Sequence, residues 1–228
     1  MFKDIAAERQ EKLLTLHTDC IEQEWRKFLS AAQVLPLAAG DVPHFEAVYA
    51  TARAQHYGDR IVDRYYVTHP IRVARFLAVW CGDRVDKVRE PLTSVLTAAL
   101  LHNVLEKQVM SVAYLTDHYG KSVSDAVSLI TPDRPAMQTS QGKEEYYAAL
   151  AQAPLWVQAL KVFDKVDNLF VLCINPSDSV RKEYLDEIET HLMPVVQRTM
   201  PWHVPYVQAL VMDNRSIGFC QPLAESLK

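Results

Sequence analysis

The sequence predicts an all-α protein, and two observations support that prediction. Only six of the 228 residues are glycine, and apolar residues recur every three or four positions along long segments. This spacing is the period of an amphipathic helix, whereas a strand would alternate. Hydrophobic residues make up 49% of the chain, which is enough to bury one substantial core. We therefore expect a multi-helix bundle that forms one large domain, or one domain with an appended helical segment.

The helices follow from this spacing and from the residues that interrupt it. LPLAAGDVPHF ends the first amphipathic run, and Asp41 can cap a helix that starts at Pro43. His69 lies where the loop YGDRIVDRYYVTHP meets the next helix, and TPDRPAMQTSQG is the most loop-like stretch. Helices are predicted at residues 4–34 (one or two helices), 43–56, 70–81, 91–107, 111–131 (two short helices), 143–151, 154–173, 178–198 and 203–212, before a loose tail.

Composition excludes several classes of protein. The net charge of −4, from 24 basic and 28 acidic residues, argues against a general DNA- or RNA-binding surface, although it allows a local basic pocket for a phosphorylated small molecule. No apolar run approaches the roughly 20 residues of a membrane helix, and MFKDIAAERQEKLL lacks the apolar stretch of a signal peptide. We expect a cytoplasmic protein with no membrane partner, whose widely spaced cysteines are reduced thiols: Cys20, Cys81, Cys173 and Cys220.

The stretch AALLHNVLEK is the first candidate site. His102 and Glu106 are four residues apart, and Asn103 and Glu106 are three apart, so all three share one face of the helix predicted at 91–107. Their apolar neighbours predict that this polar cluster begins inside the core, where its groups must be satisfied. Taken alone, a buried histidine is more often a hydrogen-bonded core residue than a metal ligand.

Two other segments add candidates. VTHPIRVARFL provides His69, and LKVFDKVDNLF places Asp164 and Asn168 on one face of an otherwise apolar helix. Two histidines and an aspartate from separate helices would suit a divalent cation. An ordinary buried hydrogen bond between histidine and aspartate explains the spacing equally well.

The order of these motifs resembles the HD-domain hydrolases of the RelA/SpoT group, especially the small single-domain alarmone hydrolases. The resemblance covers about residues 45–211 and rests on His-Pro, Leu-Leu-His and Lys-x-x-Asp-Lys-x-x-Asn in that order. It implies an HD-type domain at 43–212, with an N-terminal helical extension at 1–42 and a tail at 213–228. It also implies a manganese-dependent enzyme that removes pyrophosphate from the 3′ position of guanosine tetra- and pentaphosphate.

The resemblance assigns roles to individual residues. Glu106 matches the first member of an acidic pair that acts on the attacking water. The substrate pocket would include a base-packing arginine, an asparagine and a tyrosine, which are Arg60, Asn168 and Tyr184. The metal ligands would be His69, His102, Asp164 and the residue after the second histidine, Asn103.

Three positions depart from the family pattern. Asn103 and Lys107 each replace an aspartate, so the local charge shifts by three units in the positive direction, one from Asn103 and two from Lys107, and Ile61 replaces a lysine. We expect manganese to bind weakly or not at all. Lys107 either stands in for the metal ion or points to solvent and complements the helix dipole.

Three functions therefore stay open. The first is hydrolysis of guanosine tetraphosphate with weakened metal dependence or activity. The second is a non-catalytic nucleotide sensor or regulator in the same fold, and the third is hydrolysis of another nucleotide or a sugar phosphate. A homo-oligomer formed through the N-terminal helices is also predicted, because apolar residues there would be exposed.

Overall fold

The structure is a computed structural model that describes residues 9, 21–38, 40–55, 60–61, 64–65, 67–108 and 110–226. The helices in these ranges are α1 (Ile21–Ala32), α2 (Asp41–Gln55), α3 (Thr68–Gly82), α4 (Leu92–Leu100), α5 (Val112–Tyr119), α6 (Lys121–Ile130), α7 (Ser140–Gln152), α8 (Leu155–Leu169), α9 (Asp178–Glu187), α10 (Met193–Thr199), α11 (Val204–Ile217) and α12 (Gln221–Ser226). Short 3₁₀ turns lie at Val85–Lys87, Ala136–Gln138, Leu172–Ile174 and Pro201–His203.

The all-α prediction is confirmed, with one small addition. Two short antiparallel strands, β1 (Arg60–Ile61) and β2 (Arg64–Tyr65), form a ladder inside the segment predicted as a loop. Arg60 lies opposite Tyr65, and Ile61 lies opposite Arg64. The ladder precedes α3 and leads the chain to His69, which lies in the first turn of that helix.

The helix predicted at 91–107 was wrong in its second half. Helix α4 ends at Leu100, and residues 101–108 form consecutive turns. The His102 ring provides a physical reason, because its Nδ1 donates to the carbonyl oxygen of Ala99 at 2.7 Å and thereby occupies an acceptor that a continuing helix would use. His102, Asn103, Glu106 and Lys107 therefore do not share one helical face.

The run predicted at 178–198 is also divided. Between α9 and α10 the chain forms a π-helical segment, Ile188–Leu192. Pro194 lies two residues after this segment and lacks the N–H group that would bond to the preceding turn, which is a local cause for the irregular hydrogen bonding. The tail is more regular than predicted, since α11 extends to Ile217 and α12 follows it. The division into an extension, a domain and a tail stays a prediction.

Helix α3 is the central element of the bundle. It packs against α1, α4 and α8, and its first seven residues, 68–74, are all buried. The apolar face of α1 packs inward, with Phe28 fully buried and the Trp25 ring stacked on Tyr49 at a centroid distance of 4.3 Å. Polar side chains at the start of α3 consequently lie in the core. Oligomerisation through the N-terminal helices stays a prediction.

Within the described ranges, no helix is both long and apolar enough to cross a membrane.

Candidate metal centre

Three of the predicted site residues converge at the centre of the bundle. His69 comes from the first turn of α3, His102 from the turn after α4, and Asp164 from the middle of α8. The two Nε2 atoms are 3.2 Å apart, and Asp164 Oδ1 lies 3.3 Å from His69 Nε2 and 3.7 Å from His102 Nε2. All three residues are buried, and together they form a group that could hold a metal ion.

The size of this triangle fits a divalent cation. Ligand atoms at about 2.0–2.2 Å from a metal lie about 2.8–3.6 Å from one another in tetrahedral or octahedral geometry. Two of the three observed separations fall in that range, and the third exceeds it by about 0.1 Å. Three protein ligands leave further coordination positions for water or a phosphate oxygen.

The protonation of the two rings also suits a cation. His102 Nδ1 donates to the Ala99 carbonyl, and His69 Nδ1 donates to Asp167 Oδ2 at 2.8 Å. Both acceptors are oxygen atoms that cannot donate, so each Nδ1 carries a proton. In neutral rings the two facing Nε2 atoms are both acceptors, and a positive charge between them satisfies both.

Asp164 is held in place from three sides. Its Oδ2 accepts from the Lys161 ammonium at 2.9 Å, and its Oδ1 accepts from the Asn168 amide at 3.1 Å as well as facing the histidines. Burial by itself would raise the pKa of this carboxyl, but the Lys161 ammonium, together with the nearby His102 and His69, holds that pKa well below its usual value. Asp164 is therefore a carboxylate over the whole neutral range.

His69 and Lys161 are also perturbed by their buried partners. Burial lowers the pKa of His69, but hydrogen bonds to Asp164 and Asp167 outweigh that effect and the pKa is raised. Burial likewise disfavours the Lys161 ammonium, and the Asp164 carboxylate beside it raises the pKa of Lys161 overall. The shift of His69 thus comes from two aspartates, whereas Asp164 is the aspartate that shifts Lys161.

The other polar residues of AALLHNVLEK are buried to different extents. Asn103 is buried, and its side chain is only slightly accessible. The Glu106 side chain is one-third exposed and accepts from the Arg134 guanidinium at 2.7 Å. Lys107 is exposed. The buried ammonium next to the candidate ligands belongs to Lys161 instead, and a role for Lys107 as a metal surrogate stays a prediction.

The predicted substrate residues have different surroundings. Asn168 is half-buried and donates to Asp164, so its amide is tied to the candidate metal ligand. The Tyr184 hydroxyl donates to the Lys165 carbonyl at 3.1 Å, and the Lys165 ammonium lies 4.4 Å from the Tyr184 ring centroid. The backbone of Arg60 is in β1, and its side chain lies outside the described part of the structure.

Three residues at the centre were not assigned a role from the sequence. Lys161 binds Asp164, and Arg72 binds Asp167, which in turn binds His69. The available signal was their spacing, since Lys161 and Asp167 each lie three residues from Asp164 on α8, and Arg72 lies three residues after His69 on α3. Spacing along one helix identifies neighbours on that helix but does not identify contacts between helices.

The formal charges of these central residues cancel. Asp164 and Asp167 contribute two negative charges, Lys161 and Arg72 contribute two positive charges, and neutral imidazoles contribute none. A site with two uncompensated carboxylates attracts a divalent cation more strongly than this one does. The residues present therefore fit a cation by geometry and donor type, with modest electrostatic attraction.

A second buried ion pair lies beside the centre. The Lys165 ammonium is 2.8 Å from Glu187 Oε1, which also accepts from the Tyr147 hydroxyl at 2.6 Å. Burial and the nearby Lys161 ammonium lower the pKa of Lys165, and Glu187 opposes both effects. This pair joins α8 to α9 and supports the part of α8 that carries Asp164.

Comparisons with known proteins support the fold. No model of a known protein family matches the chain, and no curated protein matches it either. Among solved structures, it is similar to one from a metazoan, which is described by the words "A metazoan ortholog of SpoT hydrolyzes ppGpp and plays a role in starvation responses". The TM-score is 0.51, the sequence identity is 22%, and the match covers 74% of this chain and 98% of the other. The two proteins share a fold.

Proposed function

We propose that this chain is a metal-dependent phosphohydrolase of the HD type that acts on a phosphorylated guanine nucleotide. The observation that carries this proposal is the convergence of His69, His102 and Asp164, with their three ligand atoms 3.2–3.7 Å apart in the core. The substrate proposed first is guanosine 3′,5′-bis(diphosphate), because the structural neighbour is described as hydrolysing ppGpp and has the same fold. The reaction would release the 3′-pyrophosphate.

Four residues would be the ligands of the cation. His69, His102 and Asp164 would hold the cation, and the amide oxygen of Asn103 would be a fourth, neutral ligand. Manganese is the ion that the family resemblance implies, and two imidazoles with one carboxylate are suitable ligands for it. The bound cation would act as a Lewis acid that lowers the pKa of a water molecule.

The remaining groups act on protons and on orientation. Glu106 has an accessible carboxylate, and it would orient a water molecule and take its proton. Asn168 and Lys161 hold the Asp164 carboxylate in one rotamer, with Oδ1 facing the histidines. Arg60 and Tyr184 would contact the substrate, and replacing Arg60 with alanine should weaken guanosine tetraphosphate binding in calorimetry if this assignment is correct.

The test combines metal content with product release. Protein purified without chelator should contain or bind manganese and should release pyrophosphate from guanosine tetraphosphate. Asp164→Asn should lose most of both properties, with a fall in rate on the order of 10²-fold or more. Asp117→Asn, an exposed aspartate on α5, is the matched control and should behave like wild type. A wild-type protein that releases no pyrophosphate with any divalent cation would contradict hydrolysis of this substrate.

A second candidate is a nucleotide sensor without catalysis. The observation that favours it is the state of Glu106, whose carboxylate is already paired with Arg134 at 2.7 Å. The neutral Asn103 amide and the Lys161 ammonium on Asp164 further reduce the negative charge that a metal would need. Calorimetric binding of guanosine tetraphosphate without any pyrophosphate release would favour the sensor. Turnover of a different nucleotide or a sugar phosphate in a substrate panel would favour altered specificity.

A further inference from the structure

The proposed reaction makes no use of one ion pair in the centre of the bundle. Arg72 and Asp167 are each 2% exposed. Arg72 Nε lies 3.0 Å from Asp167 Oδ1 and 3.1 Å from Oδ2, and a terminal guanidinium nitrogen lies 2.8 Å from Oδ2. Burying two charges carries a desolvation cost, and apolar residues of similar volume often stabilise a core at least as well. The pair therefore calls for an explanation other than stability.

The contact with His69 provides that explanation. Asp167 Oδ2 accepts from His69 Nδ1 at 2.8 Å as well as from Arg72. Since both carboxylate oxygens accept from the guanidinium, Asp167 acts only as an acceptor, and the proton of this contact belongs to His69 Nδ1. This leaves Nε2 as the atom that faces His102 and Asp164.

The positions of the pair along the chain reinforce the arrangement. Arg72 lies three residues after His69 on α3, and Asp167 lies three residues after Asp164 on α8. The ion pair thus joins the same two helices that provide these candidate ligands, less than one helical turn from the ligands themselves. A change in the alignment of α3 and α8 would disturb the ion pair and the ligand triangle together.

Charge alone does not explain the pair. Arg72 and Asp167 carry opposite charges within hydrogen-bond distance, so their fields largely cancel at a cation site. The pair therefore acts through geometry. Asp167 gives His69 Nδ1 one fixed acceptor, and this contact holds the ring in one orientation. Neighbours that bind the second nitrogen of a ligand histidine are known to change metal affinity by 10- to 100-fold when they are removed.

We propose that Arg72 and Asp167 form a positioning pair that fixes His69 with Nδ1 protonated and Nε2 directed at the cation site. This inference rests on the proposed function of the site as a cation centre. Arg72 and Asp167 themselves are positioning residues, because neither would contact the substrate or the metal.

The variant that tests this proposal is Arg72→Met combined with Asp167→Leu. Asp167→Ala alone would leave the buried Arg72 guanidinium without this carboxylate and could unfold the protein, whereas the double change removes both charges and fills the space with apolar groups. In the wild type, metal-free protein with ¹⁵N-labelled histidine should show a hydrogen-bonded Nδ1–H resonance for His69, assigned with His69→Gln. In the double variant that resonance should disappear, and manganese affinity by calorimetry should fall 10- to 100-fold.

A matched control is an ion pair that joins α1 to the same central helix. Glu24 is 1% exposed and lies between Lys27 at 2.8 Å and Arg75 at 3.6 Å, so Glu24→Gln perturbs another buried ion pair that involves α3. This variant should lose thermal stability and keep both the His69 resonance and the manganese affinity. A role of Arg72 and Asp167 in packing alone would leave the manganese affinity of the double variant unchanged.

The result that would overturn the proposal is a folded double variant that keeps the manganese affinity of the wild type, or one whose His69 Nδ1–H resonance persists. Failure of the proposed function gives a different pattern. If the wild type binds no manganese and releases no pyrophosphate, but the resonance is present and disappears in the double variant, the function is wrong and the positioning pair stands. If wild type and double variant both turn over substrate and both keep the resonance, the function stands and the pair does not.

Discussion

Manganese should reverse the loss of stability that a restored carboxylate at Asn103 causes. Asn103 is 4% exposed and follows His102 in the turn after α4, so Asn103→Asp is nearly isosteric and adds one buried negative charge close to the candidate ligands. The central residues carry no net charge in the wild type, with Asp164 paired to Lys161. The new carboxylate would add a negative charge to this centre, and a bound metal ion would compensate that charge.

The two expected shifts have opposite signs and similar sizes. Without metal, the added buried charge should cost about 3 kcal/mol, the lower end of the range for an uncompensated charge in a core. In a protein of 228 residues, about 3 kcal/mol lowers the melting temperature by roughly 6–12 °C. With manganese at 100 times its dissociation constant, binding stabilises by about 2.7 kcal/mol, or roughly 5–11 °C.

The assay is thermal unfolding of wild type and Asn103→Asp in chelator and in a manganese titration. Asn214→Asp is the matched control, because Asn214 is 3% exposed and lies on α11 with its amide donating to the Leu210 carbonyl. The control should lose stability in chelator and recover nothing with manganese. If Asn103→Asp gains no more from manganese than this control, Asn103 is not beside a cation site and the ligand assignment must be revised.

Three further outcomes are expected. Lys161→Met removes the ammonium from Asp164, so the metal-free protein should lose about 3–5 kcal/mol of stability in denaturant unfolding, and its manganese affinity in calorimetry should rise. An unchanged manganese affinity would show that Lys161 does not oppose the cation. Arg134→Ala frees Glu106 from its ion pair, so the rate of pyrophosphate release should increase while the free energy of unfolding changes by less than about 1 kcal/mol. Unchanged or reduced turnover would contradict a catalytic role of Glu106 that this contact restrains. Burial raises the pKa of the Cys81 thiol from its ordinary value of 9.0 to about 12. The contribution of this thiol to stability is complete below pH 9 and is lost as the pH rises toward 12. Between pH 9 and 11 the wild type should therefore lose up to about 1.4 kcal/mol of unfolding free energy per pH unit more than Cys81→Ala, and parallel pH profiles of the two proteins would refute the raised pKa.

The helices and their approximate positions could be predicted from the sequence because helix periodicity is local. The predicted 70–81 and 154–173 segments correspond to α3 and α8, whose apolar residues repeat within each segment. The end of α4 could not be predicted in this way. It depends on the His102 ring bonding to the Ala99 carbonyl, in a core position where the ring also faces His69, 33 residues away.

The candidate site, too, could be predicted only in part from the sequence. Motif order alone singled out His69, His102 and Asp164, because their residue types and sequence contexts are those of a known family. Only the tertiary structure decided which neighbours hold them, since Asp167 meets His69 across 98 residues and Arg72 across 95 residues. Contacts between α3 and α8 depend on how the two helices pack against each other, and the spacing within either helix carries no information about that packing.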